Sequence, residues 1–122
     1  MKSLTATVIL LLCVLTLAFL NTHFVGTTVE ETVKRLNALP DIGEEGCVEH
    51  AYSLGAFWEE KAPFLEASIP FPLVDRVREN AVLLATCASV GDVYGFHSAH
   101  TLLLDALEDL LRLEKFSFSN LI

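Results

Sequence analysis

The chain has 122 residues, 52% of them hydrophobic, with 8 Lys and Arg against 16 Asp and Glu and a net charge of −8. All sixteen acidic residues but only seven of the eight basic ones follow residue 25, so the net acidity belongs to residues 26–122. Such a surface repels phosphate backbones and anionic headgroups, which argues against nucleic-acid binding, and 97 residues suit one domain rather than two.

The first element is "SLTATVILLLCVLTLAFL", residues 3–20, which contains no charge, proline or glycine. Its apolar character resumes at Phe24 and Val25 after the polar cluster Asn21, Thr22 and His23. Roughly 20 helical residues cover the ~30 Å hydrocarbon core of a bilayer, so Ser3 to Val25 can span one. A secretory signal peptide has a shorter apolar region, about 7 to 15 residues, ending in small residues. Here Ala18 is followed by Phe19 and Leu20, and Gly26 has Phe24 two positions before it. Cys13 follows three leucines in mid-span, not the small residue that precedes a lipoprotein acceptor cysteine. The reading is an uncleaved signal-anchor helix over residues 1–25, followed by an extracytoplasmic domain over residues 26–122. Lys2 and the amino terminus favour a cytoplasmic amino end, with Lys34 and Arg35 weighing the other way.

Beyond the anchor the periodicity is helical. Val29, Val33, Leu36 and Leu39 recur at three and four residues until "LPDIGEEG" stops them. A second helix is expected over about Glu44 to Glu66, with Val48, Ala51, Leu54, Trp58, Ala62 and Leu65 on its buried face and a kink or break near Glu59 to Lys61 imposed by Pro63. Pro72 suits the first turn of a third helix, about Leu73 to Ser89, burying Val74, Val77, Ala81, Leu84 and Cys87 or Ala88. Asp92 is a good cap for a last helix of about Val93 to Glu114. Phe96, His100 or Leu103, Leu107, and Leu110 or Leu111 form its apolar face, while Asp105, Glu108, Asp109 and Arg112 point to water. The tail "KFSFSNLI" alternates too briefly to make a sheet. The fold class is all-α: a membrane-anchor helix, which continues through Gly26 if nothing breaks it, followed by a small antiparallel bundle of three main helices.

The short amino-terminal membrane segment, the tryptophan helix "FWEEKAPFLEASI", the stretch "PLVDRVRENAVLLAT" and the closing "GDVYGFHSAHTLLLDALEDLLRLEKFSFSNLI" together resemble the bacterial domain-of-unknown-function family 4363 over nearly the whole chain. The resemblance implies a small membrane-anchored helical protein and supplies no activity. Where that family commonly carries a histidine before the third helix, this chain has Pro70, Phe71 and Pro72.

Few residues invite a chemical reading. His97 and His100 share a helix face and would need Asp92 or Glu49 to complete a metal site; HxxH alone is weak, and the ordinary reading is two polar residues flanking an amphipathic helix. Cys47 and Cys87 lie on helices expected to be neighbours, where they either form a disulfide or pack as buried thiols. Trp58 sits on the buried stripe, which favours core packing over a ligand-stacking platform. Ser53, Ser68, Ser89 and Ser98 lie in no nucleophile elbow and there is no phosphate loop. The adjacent pairs Glu44 and Glu45, and Glu59 and Glu60, cannot face each other on a helix. No catalytic, cofactor or metal residue is assigned, and the chain is read as non-enzymatic. The expectation is an accessory or interaction subunit of a membrane protein, with Phe116, Phe118, Leu121 and Ile122 either folded on their own bundle or docked on the partner; the alternative is an extracytoplasmic ligand-binding or sensing module.

Overall fold

The computed structural model describes the backbone of residues 1–121 and the side chains of residues 1–115. Every regular element among the described residues is a helix: α1 (Lys2–Asn37), α2 (Cys47–Leu65), α3 (Phe71–Val90) and α4 (Val93–Leu121).

α1 is one element of 36 residues, about 54 Å long at 1.5 Å per residue. It passes from the expected anchor into the expected first domain helix without interruption, because its only glycine, Gly26, costs about 1 kcal/mol of helix propensity and no proline intervenes. Its threonines satisfy their own hydroxyls: Thr5, Thr7, Thr16, Thr27 and Thr32 each donate to the carbonyl four residues back, at 2.7–3.2 Å. Lys34 and Arg35 occupy the last turn, where positive charge complements the helix dipole. Pro40 follows shortly after.

Each helix packs on two others: α1 on α2 and α4, and α3 on α2 and α4. Between α1 and α2, Phe24 meets Phe64 edge to face at 6.2 Å and the Arg35 guanidinium lies 4.1 Å from the Phe57 ring centre. Between α2 and α3, the Trp58 indole N–H donates to the Val74 carbonyl at 3.1 Å, and Arg78 holds Glu59 at 2.6 Å. Arg76 meets Asp109 at 3.3 Å between α3 and α4. Leu36 and Gly26 of α1 lie against His100 and Glu114 of α4. Residue numbers thus rise along α1 as they fall along α2 and α4.

The core follows the expected stripes closely on α3, where Val74, Val77, Ala81, Leu84, Cys87 and Ala88 are all buried, and Ala85 joins them. On α1, Val29 and Leu36 are fully buried while Val33 and Leu39 pack at the margin. On α4 the open alternatives resolve to Leu103 and Leu110, with His100 half-buried.

Several expectations need correction. α2 begins at Cys47 rather than Glu44, since Gly46 adopts φ 85° and ends the preceding turn in the left-handed region. Cys47, four residues before Ala51, takes the buried position and Val48 is 38% exposed. Pro63 does not break α2, which continues to Leu65. The proline falls in the last turn, and the Glu66 N–H donation to the Ala62 carbonyl at 2.9 Å closes that turn. α3 starts two residues early, at Phe71, with Pro72 in its first turn. α4 does not end at Glu114: its backbone stays helical to Leu121, so residues 115–121 extend the helix and are not a separate tail. The α3 to α4 connection is only Gly91, left-handed at φ 75°, and Asp92, whose carboxylate accepts the Gly95 N–H at 2.9 Å as expected of a cap.

Candidate functional site

A cleft opens between α1 and α4, at the point where α1 leaves the bundle. Phe19, Thr22, His23, Gly26 and Glu30 form a helical stripe along one side, their spacings of three, four and seven residues placing them on one face. Leu111, Glu114 and Lys115 close the other side, around a volume of about 490 Å³. Gly26 leaves room for the Glu114 head against α1: a Cβ there would lie 2.7 Å from a Glu114 carboxylate oxygen. The helix backbone thus meets the Glu114 head directly.

Burial pushes the Glu114 carboxyl above its ordinary range, and the nearby charge of Glu30 pushes it further; His23 and the backbone at Gly26 pull the other way. A protonatable carboxyl half-buried beside a second carboxylate, a histidine and a lysine can accept a proton or an amine. Nothing in the arrangement supplies a nucleophile aligned with a base.

The residues singled out in the sequence do not converge. His97 Nε2 lies 3.6 Å from Asp41, while His100 Nε2 lies 3.3 Å from the Leu36 carbonyl near the end of α1. Asp92 is occupied in capping α4, and Glu49 is exposed on α2. Among the described residues no three His, Cys, Asp or Glu side chains are grouped to hold a metal ion. Cys47 and Cys87 are buried free thiols. Burial raises both above the usual thiol range, reinforced at Cys47 by Asp41 and Glu44 and at Cys87 by Asp92, which disfavours the thiolate at each. Trp58 is 1% exposed with its N–H satisfied, and is a core residue, not a platform. The side chains of Phe116, Phe118, Leu121 and Ile122 lie outside the described residues.

The cleft was missed in the sequence because its carboxylates, Glu30 and Glu114, lie more than 80 residues apart in the chain. Gly26, a lone glycine inside an otherwise unbroken helical pattern, was the one available signal of close approach. No protein-family model matches the chain, and no curated protein or solved structure is similar to it. The resemblance to family 4363 therefore rests on the sequence stretches quoted for it.

Proposed function

We propose that the chain is a single-pass membrane protein, anchored by α1 with its amino terminus in the cytoplasm, whose outer residues form an antiparallel helical bundle serving as a non-enzymatic accessory subunit of a larger membrane protein. One observation carries the reading: the same uninterrupted helix has an apolar stretch long enough to cross a membrane with none of it buried, and a distal end that belongs to the bundle core. Such a joint holds the bundle at a fixed height and tilt relative to the bilayer, which suits lateral association with a neighbouring membrane protein. Lys2 ahead of the span favours the proposed orientation, with Lys34 and Arg35 weighing the other way. Purification of the full chain in mild detergent through a carboxy-terminal tag should bring down a multi-pass membrane protein in stoichiometric amount; recovery of the chain alone counts against the accessory role.

The α1–α4 cleft favours a second reading, a ligand-binding module. Its volume falls within the range of small-molecule sites, about 300 to 1,000 Å³. A cationic amphiphile that raises the melting temperature of wild-type protein but not of a Glu30→Gln, Glu114→Gln double variant would select this reading over the first.

A further inference from the structure

The end of the bundle that faces the span carries its own apolar rim. Phe64, at the end of α2, is 64% exposed and Phe71, at the start of α3, is 56% exposed; Leu113 of α4 is 40% exposed. Their height along α1 is fixed by contacts. Phe64 packs on Phe24 at 6.2 Å, and Ser68 and Ile69 of the α2 to α3 turn border the same small cavity as Asn21, Thr22, Val25 and Leu113.

That height coincides with a boundary. Counted from Leu4, the ~30 Å hydrocarbon core is used up after roughly 20 residues of helix, at about residue 23. The adjoining headgroup layer is about 5 to 7 Å thick on each side, so the segment from Asn21 to Val25 lies at the junction of acyl chains and headgroups. Side chains level with it meet lipid on every side not covered by protein.

We propose that the turn between α2 and α3 dips into the outer leaflet, with Phe64, Phe71 and Leu113 seated at the acyl and headgroup boundary, so that the bundle rests on the bilayer instead of standing off it. The proposal rests on α1 spanning the membrane and goes beyond it, since an anchored domain can equally hang free above the surface. The chemistry is apolar burial, not charge pairing. Beside Phe64 and Phe71, Glu66 is held by Arg78 at 3.5 Å and the Lys61 ammonium lies 5.8 Å from the Phe57 ring centre, so the charged groups on that side of the rim are already engaged, and Lys115 is the basic group beside Leu113. The surface accordingly fits zwitterionic lipid and does not require an anionic one. The opposite end of the bundle also exposes apolar groups, Val90 at 72% and Tyr94 at 87%, but it lies away from the span and serves as the internal control.

The test uses the full chain in phosphatidylcholine vesicles with bromines near the glycerol end of the acyl chains. The added tryptophan emission of Phe71→Trp, and separately of Phe64→Trp, should lose most of its intensity on bromination, while that of Tyr94→Trp should not change. Extraction with alkaline carbonate separates the two readings. A chain retained by the membrane whose Phe71→Trp and Phe64→Trp emission is unquenched overturns the seating and leaves the anchor standing; a chain released by carbonate overturns both. If the added emission is shielded from aqueous quenchers only in native membranes, and not in the vesicles, the rim belongs to a protein partner and the lipid assignment fails.

Discussion

α1 has two ends with the same secondary structure and opposite surroundings. Leu10, Leu12 and Leu15 are 54–66% exposed, while Val25, Val29 and Leu36 are 0–5% exposed. The distinction is written in periodicity rather than in hydrophobicity. Over residues 3–20 apolar side chains occur all round the helix, so no face is preferred and every face needs an apolar solvent. From Val25 the buried positions recur as Val25, Thr28, Val29, Thr32 and Leu36, one stripe directed at α2 and α4, with Glu30, Glu31, Lys34 and Arg35 on the remainder. A helix can therefore pass from a stretch apolar on every face to a packed protein core with no change of backbone.

If the distal end belongs to a packed core and the proximal end does not, truncations should separate them. The largest effect is expected at Trp58, which that core encloses. Trp58→Ala should cost about 3 to 5 kcal/mol, in part by leaving the Val74 carbonyl without its partner, whereas exposed Glu60→Ala should change almost nothing. Denaturant melts of the full chain in detergent, followed by helical signal, measure both. Next comes a matched pair on α1 itself. Leu36→Ala should cost about 2 to 5 kcal/mol, and Leu12→Ala, the same substitution on the same helix, should leave bundle stability within about 0.5 kcal/mol. Equal effects at the two leucines would erase the distinction.

Gly26 marks the junction. Gly26→Ala gains up to about 1 kcal/mol of helix propensity and forces the Glu114 carboxylate to move from its position against the helix. Because that carboxylate is the free end of a flexible side chain, the two effects should nearly cancel, with a net change under about 1 kcal/mol. A loss of several kcal/mol would mean that the α1–α4 approach is rigid at this level.

How much of this was legible depended on the range over which each feature is encoded. Most of the α3 stripe was readable, because Val74, Val77, Ala81 and Leu84 announce a face by spacing alone; spacing left Cys87 or Ala88 open, where both are buried, and did not include Ala85. The Asp92 cap was readable for the same local reason. Pro63 misled as to a break, because the one backbone bond it removes, to Glu59, is flanked by turns that the buried Trp58, Ala62 and Leu65 hold in the core. Val48 and Cys47 exchanged places because Cys47, four residues before Ala51 and seven before Leu54, continues the stripe of α2, while Val48 falls beside it. The α1–α4 cleft was illegible: Glu30 and Glu114 acquire a relationship only when helices from opposite ends of the chain are packed.

That cleft yields the smallest effect and the clearest sign. Folding places Glu114 where burial and the charge of Glu30 both disfavour ionisation, so its carboxyl titrates higher in the folded chain than in the unfolded one. Between those two values the folded state binds more protons, and stability falls as pH rises through the interval. Above the folded value the ionised carboxylate remains a fixed liability; below the unfolded value the penalty is absent. The groups facing it are Glu30 and His23 from α1, with Lys115 beside it on α4. Glu114→Gln should thus raise the melting temperature slightly at neutral pH and flatten its rise on mild acidification, while leaving it unchanged once the wild-type carboxyl is protonated. Removing the Glu30 charge by Glu30→Gln should produce a weaker version of the same change, since burial is the larger cause. A Glu114→Gln variant less stable than wild type at neutral pH would show that the carboxylate is held by favourable contacts, and would place a stabilising charge at the junction instead of a strained one.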